Sequence, residues 1–125
     1  MSTQVGLSGS AGPGDAFDSD CPSRAVLDHV TSKWAVLVLV ALSRGDHRFS
    51  ALRRAVGGVS EKMLAQTLRT LECDGFVHRE VAPTTPPQVS YGLTALGHGV
   101  TGHLTGLIRW IEEQLPEVSA ARSRG

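Results

Sequence analysis

Only two cysteines occur in 125 residues, Cys21 and Cys73, standing 52 positions apart. Two are too few for a disulfide framework, and their spacing does not fit a paired-cysteine zinc motif. Long hydrophobic runs are also missing. The longest, Trp34 to Leu42, spans nine residues, far short of the roughly 20 needed to cross a bilayer. No basic segment followed by an apolar stretch opens the chain, so no secretory signal is expected. Net charge is zero, with 12 basic against 12 acidic side chains. This balance argues against a polybasic membrane binder and against an acidic disordered chain. The expectation is a cytoplasmic protein with no membrane partner.

What is present is ordinary in amount and uneven in placement. Hydrophobic residues make up 41% and charged residues 19% of a 13.2 kDa chain, which fits one small domain. Residues 1–20 hold Asp15, Asp18 and Asp20 but no Lys or Arg, giving −3 and leaving +3 for the rest. Within 44–69, Arg44, Arg48, Arg53, Arg54, Lys62 and Arg69 outnumber Asp46 and Glu61, giving +4. Such a block can mark a polyanion-binding face, or it can be a solvated helix surface.

Residues 1–20, rich in Gly, Ser and Asp, bury too little surface to offset their ordering entropy and read as a flexible arm. Residues 116–125 read as a frayed tail. The folded part is 21–115, without an internal repeat or a break marking a second domain. A core of this size buries proportionately little surface, so self-association would help it.

Helical periodicity dominates. Pro22 suits a first helical position, and Val26, Leu27 and Val30 then share a face. A second helix, about 33–43, is apolar nearly all round, which predicts a central buried position. Phe49, Leu52 and Val56 define a short third helix with Arg53 and Arg54 outside, and Gly57-Gly58 turns the chain. Ser60 is placed to cap a fourth helix, 61–73, whose core stripe is Leu64, Leu68 and Leu71, ending near Gly75. The pattern then changes period. Phe76–Val81 and Gln88–Leu93 read as strands joined by the stiff Pro83–Pro87 turn. A long helix begins near Thr94, with an apolar stripe of Val100, Leu104, Leu107, Ile108, Ile111 and Leu115.

This is the element order of a winged helix-turn-helix: mainly α, with a small β-hairpin wing, dimerising through its terminal helices. A helix entering the major groove needs donors on its outward side. At 100° per residue, the Leu64/Leu68/Leu71 stripe puts Lys62, Gln66 and Arg69 on that side. Arg53, Arg54 and a basic hairpin (His78, Arg79) lie in the same folded part. An ordinary amphipathic helix with a polar exterior would carry the same stripe.

The motifs then point to a family. Lys33-Trp34 opens the buried helix, and Arg48-Phe49 with Leu52 follows. Gly58-Val59-Ser60, Lys62, Leu64, Leu68 and Leu71-Glu72 come next, then Asp74-Gly75-Phe76-Val77 and Arg79. Pro87, Val89, Tyr91, Leu93-Thr94, Gly97 and Trp110 complete the set. In order and spacing, over roughly 21–111, the chain resembles the HxlR-type winged-helix regulators, a bacterial and archaeal group with MarR-like architecture. The resemblance implies a homodimer, without enzymatic activity, that binds a pseudo-palindromic double-stranded DNA operator and regulates nearby genes, often as a repressor. No metal or other cofactor is implied.

On this reading DNA is met by Arg48, Ser50, Arg53, Arg54 and Ser60 ahead of the fourth helix. Lys62, Met63, Gln66 and Arg69 lie along it, and Arg79, Thr84 and Thr85 in the wing. The wing tip lacks Lys and Arg, so Thr84, Thr85 or backbone groups must meet phosphates there. The dimer interface is assigned to Val26, Leu104, Leu107, Ile108, Trp110 and Ile111. Gly97, Gly99, Gly102 and Gly106 depart from a good helix former, each at up to about 1 kcal/mol relative to Ala. They imply a later helix start or a close helix crossing.

Cys21 precedes Pro22 at a helix N-terminus, which favours a thiolate, while Asp18 and Asp20 oppose it. Many relatives carry a cysteine here, and in some of them it senses quinones, aldehydes or oxidants, so the resemblance implies a sensing role; the alternative is a small, partly buried thiol. Cys73 reads as incidental. His98 and His103, five apart, do not share one helical face, and no metal site is expected. Trp34 and Trp110 read as core and interface residues, with an effector pocket between them as the alternative. The rival to a DNA-binding regulator is a winged-helix protein-interaction module; a regulator governed by a non-covalent small molecule is the rival to a cysteine sensor.

Overall fold

Ten residues with no charge beyond the first lysine have no polar face to offer water, and the helix they form lies at the centre of the molecule. In the computed structural model, which describes residues 14–125, this helix is α2 (Lys33–Leu42), with Ala35, Val38, Leu39, Ala41 and Leu42 buried. Around it run α1 (Pro22–Thr31), β1 (His47–Arg48), α3 (Phe49–Ala55), α4 (Glu61–Cys73), β2 (Val77–Ala82), β3 (Gln88–Leu93) and α5 (Ala95–Arg124). The core joins α2 to Leu52, Val56 and Val59, to Leu64, Leu68 and Leu71, and to Phe76, Val77, Leu93 and Leu104. Among the described residues no single helix is long and apolar enough to cross a membrane.

Local chemistry sets the boundaries. Ser32, Ser60 and Thr94 each accept a backbone N–H two or three residues into the following helix, from Ala35, Met63 and Gly97. Gly75 ends α4 at φ +84°, a left-handed conformation that favours glycine, and Gly58 does the same at +87° in the turn before α4. The sheet order is β1-β3-β2, antiparallel throughout. Tyr91 pairs with His47 on one side and Arg79 on the other. The two-residue β1 is an addition to the expected hairpin, and Arg48 fastens it by donating to Gln88 Oε1.

Four expectations change. Residues 116–124 are not a frayed tail: α5 carries on through Pro116 to Arg124. Good helix formers follow the proline, and Arg122 and Arg124 sit where the dipole favours cations. Residues 1–13 of the expected arm lie outside the described residues, but 14–20 fold into turns. There Asp15 and Asp18 carboxylates accept from Phe17 and Asp20 N–H, and Cys21 N–H reaches Asp18 O. On α1 only Val30 is buried; Val26 and Leu27 face out. Leu104, assigned to a dimer interface, is a core residue of its own subunit at 6% exposure, because α5 packs against α2 over this stretch.

The helix start near Thr94 holds despite the glycines. Thr94 Oγ1 donates to Gly75 O at 2.6 Å, and Thr94 N–H to Phe76 O at 3.1 Å. Gly97 lies so close to the Phe76 carbonyl that any side chain there would collide with backbone. Gly99, Gly102 and Gly106 face open space.

Candidate nucleic-acid interface

Helix α4 carries two faces of opposite character. Leu64, Thr67, Leu68 and Leu71 are buried, while Lys62, Met63, Gln66 and Arg69 are exposed. The anchored stripe fixes the helix rotation, so the outward donors are presented by a rigid element. Ser60 Oγ caps its N-terminus through Met63 N–H at 3.0 Å. In front of that terminus an open cleft is lined by Ser50, Arg53, Arg54, Gly58, Val59 and Ser60. A helix N-terminus flanked by guanidinium groups is suited to a phosphate.

The assigned residues are not all equally free. Arg53 Nε donates to Val59 O at 3.3 Å, and its Nη1 lies 3.5 Å from Glu61 Oε2. It therefore braces the turn as well as lining the cleft. Arg54, by contrast, is exposed beside it. Arg48 is tied to Gln88. At the wing tip Thr84 Oγ1 donates to Pro86 O at 2.7 Å, and both Thr84 and Thr85 are exposed. Arg79 is exposed, on the same side of β2 as buried Val77.

Cys21 sits at the mouth of α1 with its sulfur accepting two hydrogen bonds. Ser23 Oγ donates at 3.2 Å and Asp15 N–H at 3.3 Å. The Ser23 hydroxyl first, then the backbone N–H groups of Asp15 and Ser23, hold this thiol below its ordinary pKa; burial and the Asp18 carboxylate pull the other way. The residue sequence reasoning missed is Asp15, whose role depends on a turn that composition does not reveal. Further along α1, His29 Nδ1 meets Asp74 Oδ2 at 2.5 Å, joining this helix to the end of α4.

The family model described as HxlR-like helix-turn-helix matches residues 29–119. The chain belongs to this family. It is 57% identical over 120 residues to the HTH-type transcriptional regulator YtfH of Escherichia coli K12, covering 96% of this chain and 95% of that one. A solved structure of a transcriptional regulator ytfH from Salmonella typhimurium superposes with TM-score 0.84 at 57% identity, over 89% of this chain and 99% of that one. The redox regulator HypR in its reduced form matches with TM-score 0.72 at 32% identity, over 79% and 98%. This HxlR-like protein is thus a helix-turn-helix transcriptional regulator with a winged-helix fold, and its family and relatives are regulators, not enzymes.

Proposed function

We propose that this regulator acts in the cytoplasm as a two-fold dimer that binds a pseudo-palindromic duplex operator and represses nearby genes. The carrying observation is the exposed Lys62, Gln66 and Arg69 face of α4, held outward by a fully buried leucine stripe. Gln pairs well with adenine, and Lys and Arg with guanine or phosphate. A two-fold dimer would set its two α4 helices about 34 Å apart, one turn of DNA.

Replacing Gln66 or Arg69 by Ala should cost about 1–3 kcal/mol on the operator and relax sequence preference. Arg54→Ala should weaken all sequences alike and lower the salt slope by roughly 0.9 for each phosphate it no longer neutralises. Fluorescence anisotropy on operator and random duplexes at several salt concentrations measures both. Unchanged operator selection after the Gln66 and Arg69 substitutions would mean that another face reads the bases. Absence of salt-dependent retention on any duplex would favour the protein-interaction module instead.

A second reading, that Cys21 senses oxidants or electrophiles, is favoured by the two hydrogen bonds to its sulfur and by the likeness to HypR. Because the Ser23 hydroxyl and the two N–H groups lower its pKa, Cys21 holds more thiolate at neutral pH than an ordinary thiol. Its alkylation rate should therefore stay high at a pH where that of free cysteine has fallen. Ser23→Ala should shift the pH–rate midpoint upward. Diamide should release the parent from its operator, and Cys73→Ser likewise. Cys21→Ser should stay bound; release equal to the parent's would point to a non-covalent effector.

A further inference from the structure

The outer face of the sheet holds a cluster that DNA binding does not use. In the register that pairs His47 with Tyr91, the next residue, Asp46, falls beside Gly92, and Gly92 pairs with His78 on β2. Asp46, from the turn just before β1, thus stands in one row with Gly92 of β3 and His78 of β2. Glu80, two residues beyond His78, lies on the same face. The ligating atoms of Asp46, His78 and Glu80 all lie within 4.8 Å of one another.

Gly92 makes this approach possible. A Cβ there would stand 2.7 Å from His78 Nε2 and closer still to Asp46 Oδ1, so any other residue would drive the two apart. The backbone does not call for glycine, since Gly92 is not among the residues with positive φ. Glycine inside a strand weakens it and often marks a close approach to a ligand or another chain segment. Here the missing side chain opens a shared cradle over the central strand. Among the described residues neither the Asp46 carboxylate nor the His78 ring makes a hydrogen bond. His78 Nδ1 and Glu80 Oε1 stand 3.8 Å apart, beyond hydrogen-bond range.

We infer that Asp46, His78 and Glu80 bind a divalent transition-metal cation, of the kind that accepts mixed nitrogen and oxygen ligands, such as Zn²⁺. Two carboxylates and a neutral imidazole match a doubly charged ion in charge and ligand type. Side-chain rotation within the cluster brings three donors to the roughly 2.0–2.2 Å such an ion requires. The sheet covers one side of the ion and water completes the other. Sequence spacing hides the site, because Asp46 and His78 are 32 positions apart and meet only through the strand register. Binding would pin the turn before β1 to β2 and cancel the negative charges of Asp46 in that turn and Glu80 in the wing. On the DNA-binding reading proposed above, that should strengthen phosphate contacts; ion uptake itself does not depend on that reading.

The test is titration of the intact chain with Zn²⁺ by calorimetry, and with Co²⁺ by visible absorption, at neutral pH. One ion per protomer is expected, without the thiolate-to-metal absorption that cysteine ligation would give. His78→Gln, Asp46→Asn and Gly92→Ala should each weaken binding by more than about tenfold, a loss typical even of outer-shell partners. The double variant Cys21→Ser, Cys73→Ser should bind as the parent does. Uptake should weaken on acidification, because a ligand imidazole must be deprotonated. Circular dichroism verifies that each variant is folded. No uptake by the parent, uptake unchanged in both His78→Gln and Asp46→Asn, or uptake lost with the cysteines would each overturn the site. Zn²⁺ should also raise duplex affinity in the parent and not in His78→Gln. Uptake without that rise supports the site and removes its coupling to DNA.

Discussion

Replacing Leu107 and Ile111 together by Asp should yield monomers and lower operator affinity by about 10²–10⁴-fold, the range over which two linked binding events exceed one. Both side chains lie on α5 and are about half exposed in the single subunit, at 52% and 46%. Trp110, Leu115, Val26 and Leu27 add further exposed apolar surface on α5 and α1. That much uncovered hydrocarbon on a small subunit is the surface that the proposed dimer would cover. Because neither residue belongs to the core, the variant should keep its helical circular dichroism. Sedimentation at micromolar concentration should give about twice 13.2 kDa for the parent and 13.2 kDa for the variant. A variant that stays dimeric would place the interface elsewhere.

The second large effect is on stability. Leu68→Ala should destabilise the protein by about 2–5 kcal/mol, since it removes a large side chain from a close-packed interior and leaves a cavity. Leu68 is 2% exposed, between Leu64 and Leu71 on the anchored side of α4. Two positions away, Gln66 is exposed, and Gln66→Ala should leave the denaturation midpoint within about 0.5 kcal/mol of the parent. Paired urea titrations measure both. The contrast separates the two sides of one helix: one holds it in place, the other is left to solvent. A large stability loss at Gln66 would mean that its side chain is structural.

The elements that show in the sequence are those with local signals. Ser60 caps the helix it was expected to cap, the last helix begins near Thr94 as expected, and the leucine stripe of α4 is buried as its spacing requires. Elements set by distant partners do not show. β1 has two residues, too short for any period, and exists because β3 offers it an edge. Leu104 and Leu107 look alike in a periodic stripe, yet α2 covers the first and leaves the second bare. The extension of α5 past Pro116 was hidden by the proline itself, which is a helix breaker by composition but is carried within a long helix here. In the site, the donors of α4 were legible from angle arithmetic. The bracing of Arg53 against Val59 and Glu61 was not, because it depends on how the turn folds back.

Thr94 has a consequence for how such a molecule can move. Its hydroxyl and its N–H together bind the exit of α4, the root of β2 and the first turn of α5 into one joint. Gly97, pressed against the Phe76 carbonyl, leaves that joint no slack. The 30-residue α5 is therefore a lever, about 45 Å long at 1.5 Å per residue, rigidly mounted on the head that would face DNA. In the proposed dimer neither head could swivel alone. Any change in the crossing angle of the two levers would be delivered whole to α4 and the wing, so an effector would need only to act between the levers to retune the grip on both half-sites.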